Sequence, residues 1–273
     1  MPDETTNKLV ESLSKNYETL KIEREESTLW IILNRPQRLN SFNAVLIEEL
    51  MDILNTAETD PSIKCVVITG EGDRAFSAGA DLTMMKGTPV YAEEASRKGQ
   101  ETFGKIEEMS KPVIAAINGY ALGGGLELAM ACDLRIAAEH AELGNTEINL
   151  GLIPGWGGTQ RLVRIVGLAK AKEMVMLGIR VKADEALKIG LVHKVVHYEK
   201  LKDEVTAIAK ELAERPPIAM KYVKHAMNFG TQVPLEVGLR LEAALFALTS
   251  STEDLKEGIE AFFSKRKAEF KGK

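Results

Sequence analysis

Cysteine is scarce in this chain: Cys65 and Cys132 are the only two in 273 residues. Each sits in an apolar run (Lys64-Cys-Val-Val-Ile68 and Ala129-Met-Ala-Cys132), and two isolated thiols supply neither a disulfide framework nor zinc-ligand spacing. Their surroundings point to buried free thiols in a reducing compartment. Histidine is nearly as rare, with four (His140, His193, His197 and His225). His193 and His197 are four apart, but residues 190–196 read as extended rather than helical, so no metal site is expected. No apolar run approaches the roughly 20 residues of a membrane span. The opening Met1-Pro-Asp-Glu-Thr-Thr-Asn-Lys8 has early acids and no apolar core, which fits neither a secretory nor a transit signal and leaves a cytoplasmic protein as the expectation. Charge of one sign is also lacking. Thirty-five basic and 40 acidic residues leave a net charge of −5, which offers no global field for nucleic acid or an anionic membrane. A polyanionic ligand would need a local basic patch.

What is present is an ordinary globular composition, 45% hydrophobic and 27% charged. Residues 1–16 are polar and read as a flexible extension. Runs at 17–22 and 27–33, separated by the charged 23–26, predict a hairpin. Ser41 is placed to cap a helix over 44–59, on which Leu46, Leu50 and Leu54 recur every four residues. The continuous apolar run 65–69, closing at Gly70-Glu-Gly72, reads as a strand buried on both faces. A helix over 92–109, a strand over 113–118, a glycine-rich turn, an apolar helix over 124–131 and a strand over 134–137 follow. Strands alternating with helices predict an α/β core with parallel pairing. After Val195 only helical patterns remain, over 199–214, 217–228, 234–248 and 252–266. The chain therefore divides into an extension (1–16), an α/β core (17–198) and a helical region (199–273). The apolar positions of that region, such as Leu235, Leu239 and Phe246, need a partner, either the core or another subunit.

Three segments are candidates for chemistry. In Ala75-Phe-Ser-Ala-Gly-Ala-Asp-Leu82, small side chains would let a ligand approach the backbone; a tight strand-to-helix turn capped by Asp81 reads the same way. In Asn118-Gly-Tyr-Ala-Leu-Gly-Gly-Gly-Leu-Glu127, three glycines open an apolar helix and would present its free N–H groups to an anion or a developing oxyanion. Close helix–strand packing is the alternative use of those glycines. Third, Glu147 precedes a Pro/Gly turn beside an apolar run, where it is either a solvated cap or a carboxyl held neutral by apolar surroundings. No dinucleotide fingerprint, Walker lysine, nucleophile elbow or H-E-x-x-H pair is found.

Taken together these segments resemble the crotonase, or enoyl-CoA hydratase/isomerase, superfamily. The resemblance rests on Leu33-Asn-Arg-Pro36 with Asn40, Phe76-Ser-Ala-Gly-Ala-Asp-Leu82, Ile117-Asn-Gly-Tyr-Ala-Leu-Gly-Gly-Gly-Leu-Glu127, Ile153-Pro-Gly-Trp-Gly-Gly-Thr-Gln-Arg161 and Ser251-Thr-Glu-Asp-Leu-Lys-Glu-Gly258 with Ala261-Phe262. Only about residues 1–16 lie outside it. It implies an α/β crotonase (ClpP-like) spiral of ββα units with a helical C-terminal region. It also implies an acyl-CoA thioester substrate, no cofactor beyond the coenzyme A of that substrate, and a homotrimer or a hexamer of paired trimers.

By the same resemblance the backbone N–H groups of Ala80 and Gly124 would form an oxyanion hole. Glu127 and Glu147, 20 positions apart, would be the two acids that mark hydratases within the superfamily. Ala78, Gly79, Asp81, Leu82, Gly123, Trp156 and Phe263 would contact substrate, with Met84 and Met85 as further candidate walls. The implied activity is reversible hydration of a short trans-2-enoyl-CoA such as crotonyl-CoA. Dehydration of 3-hydroxypropionyl-CoA is the alternative physiological role, and a silent acyl-CoA or RNA binder the remote one. RNA binding by a lysine-rich first helix is not supported, since residues 44–60 contain neither lysine nor arginine. One departure is Thr146, where many hydratases have proline.

Overall fold

The computed structural model describes residues 16–84 and 88–273, with Met84 described in its backbone alone. The expected extension therefore lies, apart from Asn16, outside the described residues, as does Met85.

Strands β1 (Leu20–Glu25) and β2 (Thr28–Leu33) form the expected hairpin. Its turn is tighter than the charge pattern predicts. Glu23, Arg24 and Glu25 continue β1, because an edge strand keeps one side in water and tolerates charge; the reversal falls at Glu26-Ser27, with Glu26 left-handed at φ 52°. Helix α1 (Ala44–Thr59) follows, capped by Asn43, whose side chain accepts from Leu46 N, and not by Ser41. Ser41 is two residues too early, and its carbonyl takes the Arg35 guanidinium at 2.6 Å. Leu46, Leu50 and Leu54 face the core as their spacing requires.

The chain then repeats one unit. A strand enters a six-stranded sheet, a second strand joins a smaller sheet, and a helix returns. The pairs are β3 (Cys65–Gly70) with β4 (Ala75–Ser77), β5 (Val113–Ile117) with β6 (Tyr120–Leu122), and β7 (Leu134–Ala138) with β8 (Glu142–Gly144). Helix α2 (Pro89–Glu108) follows the first pair and α3 (Gly124–Ala131) the second. The third leads through a 3-10 turn (Glu147–Leu150) to α4 (Gly158–Val166) and α5 (Leu168–Met176). Strand β9 (Val181–Lys182), helix α6 (Ala183–Lys188) and strand β10 (Lys194–Val196) close the core. The large sheet has the order β1-β2-β3-β5-β7-β10, parallel except at β1, and the small one β4-β6-β8-β9. This is the ββα spiral that the resemblance implies.

Alternation along the large sheet assigns its two faces. Leu29, Ile31, Leu33, Val66, Ile68 and Val113 point into the main core, while Trp30, Cys65, Val67, Ile114 and Ile136 point to the other side. That second face is covered by α7 (Leu201–Ala213) through Leu201, Val205 and Ala209. Both faces are therefore dry, which is why these strands read as unbroken apolar runs. Each such side chain contributes about 1.5–3 kcal/mol by burial. Both cysteines are buried and unpaired, and burial pushes each thiol up to about 12. The chain ends in α8 (Pro217–Gly230), α9 (Leu235–Ser250) and α10 (Glu253–Phe263).

Candidate active site

Two buried asparagines shape the approach to the site. Asn118 donates to the carbonyls of Gly70, Gly72 and Ala75 at 2.9, 2.7 and 3.2 Å, and Asn40 donates to those of Glu71 and Ala75 at 3.1 and 2.8 Å. The β3–β4 turn is thus fixed by side-chain amides and delivers residues 78–81 in one conformation. There Ala80 bridges Phe42 in parallel: Phe42 N donates to Gly79 O and Asp81 N donates to Phe42 O, each at 2.8 Å. Ala78 N donates to Leu39 O and Gly79 N to Ser77 Oγ. Among the described residues the Ala80 N–H has no acceptor.

The second free donor comes from helix α3. Gly124 is its first residue, so its N–H has no partner within the helix. The two amides face the same space. A Cβ built on Gly79 would lie 3.1 Å from Gly124 N, and one built on Gly124 would lie 3.6 Å from Ala80 N. Gly79 also sits at φ 94°, where a side chain would be strained and would strike Leu122 O at 2.8 Å. Glycine is required here by both criteria.

Glu127 lies in the first turn of α3 and is 2% exposed. Its Oε1 accepts from Trp156 N at 2.8 Å and Gly158 N at 2.7 Å. Those bonds favour the anion, but burial and then the nearby Glu147 oppose it, and the carboxyl is pushed up to about 7. Glu147 opens the 3-10 turn after β8. Burial raises its pKa as well, relieved little by Asn145, whose Nδ2 stands 3.4 Å from Glu147 Oε1. Glu147 Oε2 is buried without a hydrogen-bond partner, as is Asn145 Oδ1. Thr146 adopts φ −103°, outside the range that a proline ring imposes, so threonine here goes with a backbone that proline would not take.

The structure brings Ala78, Gly79, Ala80, Gly123, Gly124, Glu127, Glu147 and Trp156 together. The Trp156 ring touches the Gly124 position, 2.5 Å from a built Cβ, and packs edge-on against Phe42 and Phe103. Asp81 accepts from Thr83 Oγ1 at 2.8 Å and pairs with Arg35 at 2.9 Å, and these contacts, Thr83 foremost, hold its carboxyl below the usual range. The capping role open to Asp81 is therefore filled. Leu82 starts a 3-10 turn and is exposed. Phe263 lies elsewhere, 78% exposed on α10, in an apolar groove of about 610 Å³ with Phe246, Ile259 and Phe262. His193 and His197 serve local structure: His193 Nδ1 accepts from Arg135 N at 3.1 Å, and His197 pairs with Glu139.

The sequence assigns a role to neither Asn145 nor Arg161, although Arg161 closes the motif that starts at Ile153. Asn145 is completely buried between the acids, yet as a lone amide beside a turn it looks like any loop residue. Arg161, near the start of α4, is turned inward. Its Nη1 donates to Trp156 O at 2.8 Å, behind the turn that holds Glu127.

A family model described as enoyl-CoA hydratase/isomerase matches residues 23–273. The chain belongs to this family. A crotonyl-CoA hydratase of Syntrophomonas wolfei is 44% identical over 93% of this chain and 98% of its own length. A short-chain-enoyl-CoA hydratase of Clostridium acetobutylicum is 41% identical over 91% and 95%. Among solved structures, an enoyl-CoA hydratase from Bacillus anthracis superposes with a TM-score of 0.91 at 41% identity, covering 94% of this chain and all of that one. The ββα spiral is the fold this family shares, and all the residues gathered at the site fall within the matched span.

Proposed function

We propose that this enoyl-CoA hydratase/isomerase family member is an enoyl-CoA hydratase that adds water reversibly to short trans-2-enoyl-CoA thioesters, crotonyl-CoA in particular. The observation that carries the reading is the convergence of a buried carboxyl, Glu127, and a half-buried one, Glu147, on the free N–H groups of Ala80 and Gly124. In hydration, a water oxygen forms its bond to Cβ while its proton passes to Glu127. The π electrons shift onto the thioester oxygen, and the Ala80 and Gly124 N–H groups stabilise the resulting enolate. Glu147 then delivers a proton to Cα and the carbonyl re-forms. Proton exchange with solvent resets the two acids.

Burial raises both carboxyls, so this division of labour rests on the resemblance to hydratases and not on a difference in environment. Two N–H donors aimed at Glu127 temper the rise that burial and Glu147 impose on it, while Glu147 Oε2 has no hydrogen-bond partner to temper its own. The pair still titrates as a unit. Ala78, Gly79, Asp81, Leu82, Gly123 and Trp156 would line the thioester and acyl end. The exposed apolar side chains of α8–α10, among them Leu235, Phe246 and Phe263, support burial against other copies in a trimer or hexamer. Light scattering would give the mass directly. No cofactor beyond the substrate's coenzyme A is needed for this chemistry. Among the described residues no helix is long and apolar enough to cross a membrane, and two buried unpaired thiols support a reducing compartment such as the cytoplasm.

Loss of the conjugated-thioester absorbance of crotonyl-CoA tests the proposal. Glu127→Gln and Glu147→Gln should each lower kcat by about 10²–10⁴-fold. Undiminished turnover by the double variant would sink the assignment.

A further inference from the structure

Arg161 is placed oddly for a surface helix residue. It lies in α4, 14% exposed in its side chain, and folds back beneath the turn that precedes its own helix. Its Nε and Nη2 donate to Glu107 Oε1 and Oε2 at 2.8 and 2.7 Å, a two-pronged pair, while Nη1 donates to Trp156 O at 2.8 Å. The guanidinium occupies the volume that a side chain on Gly157 would take, with Nη1 2.1 Å from a built Cβ. The same turn sends the N–H groups of Trp156 and Gly158 to Glu127 Oε1. One arginine therefore holds the outer carbonyl of a turn whose inner amides hold a buried carboxyl.

Glu107 strengthens the case. It sits in the last turn of α2, where the helix dipole disfavours a negative charge. Its backbone is held there by Asn228 Nδ2 on Glu107 O at 3.1 Å, and the preceding Ile106 carbonyl accepts Lys224 Nζ at 2.7 Å. The anchor thus stands on α2, braced from α8.

The geometry points to Arg161 as a positioning residue for hydration, clamped by Glu107, that keeps the 156–158 turn registered on Glu127 and a positive charge behind that carboxylate. The inference rests on Glu127 being one of the two reacting carboxyls. The charged groups that bear on Glu127 are Glu147 from the 3-10 turn, which disfavours its anion, and Arg161 from α4, which favours it, with Glu107 of α2 partly neutralising Arg161.

The test compares wild type with Arg161→Gln, Arg161→Lys and Glu107→Gln, following crotonyl-CoA hydration between about pH 5 and 9. Arg161→Gln should lower kcat by about 10- to 100-fold and move the acidic limb to higher pH, with KM changed by less than about threefold. Arg161→Lys keeps the charge and loses the fork, so its limb should return toward wild type while kcat stays intermediate. Glu107→Gln leaves Arg161 unneutralised, so its limb should stay or move to lower pH. A merely structural pair would lower activity without moving the limb differently in the two partners. If Arg161→Gln fails to fold, the other two variants decide. The Tm difference between chains carrying Glu127 and Glu127→Gln, followed against pH in each background, reads the same ionisation without turnover. Wild-type kcat and pH profile in Arg161→Gln would overturn the inference, as would equal losses in every variant with an unmoved limb. A wild type that does not hydrate crotonyl-CoA would count against the hydratase reading instead, while the Tm comparison would still decide the role of Arg161.

Discussion

Glu127 is folded into a place that favours its neutral form, and that has a consequence for stability as well as for chemistry. Its pKa rises from 4.5 to about 7 on folding, so between these values the native state holds a proton that the unfolded chain has released. Stability is lost as pH rises through that window, by about 3 kcal/mol once both states are ionised. Glu127→Gln keeps an acceptor for Trp156 N and Gly158 N and removes the ionisation. Its Tm should exceed wild type above about pH 7 and match it near pH 4, and calorimetry across that range would check the sign. A variant less stable than wild type at high pH would contradict the proposed environment. The sequence makes an acid at position 127 legible through the glycine triplet beside it. It does not reveal the two amides that hold it, because they arrive from a turn 29 and 31 residues away.

At the scale of elements, the start of α3 does most to define the site. Gly124 offers its N–H because it opens the helix, and lacks a side chain because the Trp156 ring occupies that space. Gly124→Ala should therefore displace the ring, and with it the Trp156 N–H on Glu127, lowering kcat by about 10²-fold. Adding Trp156→Ala makes room and should restore part of that loss, a coupling that a double-mutant cycle reads directly. Trp156→Ala alone removes a buried aromatic, at a cost of about 3–5 kcal/mol. It should also raise the kcat/KM ratio of eight-carbon over four-carbon enoyl thioesters, since the ring lies beside the free amides. An unchanged ratio would remove Trp156 from the acyl pocket. Periodicity marks whole elements such as α1 and β3 and says less about where they end. Asn43 replaces Ser41 as cap because only its side chain reaches Leu46 N, and β4, β8 and β9 are too short to leave a periodic trace.

At the scale of the whole molecule, the helical region is tied to the spiral by a buried cation. Lys224 of α8, 6% exposed, donates to Ile106 O at 2.7 Å, Lys111 O at 3.0 Å and Asp133 Oδ2 at 2.8 Å. Asp133 follows α3, and its Oδ2 also accepts from Val113 N at 2.7 Å. Burial pushes the Asp133 carboxyl up, and Lys224 is the chief influence restraining it. Lys224→Met should cost about 3–5 kcal/mol at neutral pH by leaving that carboxylate unpaired. The penalty should shrink on acidification, as Asp133 protonates, and chemical denaturation at two pH values would measure both. A cost independent of pH would mean that lost packing, not charge, is responsible.

The sequence by itself determined the α/β character, the parallel sheet, the apolar strands and the positions of both acids. It could do so because hydrophobic period and glycine placement are local properties of the chain. Only the tertiary structure decided what those residues do together. It paired the Ala80 and Gly124 amides across 44 positions of sequence, set Glu127 against the 156–158 turn, and turned Arg161 inward to brace it. Ionisation followed from the same folding, because a carboxyl is raised by the water it loses and the neighbours it gains, and neither is written in its own segment.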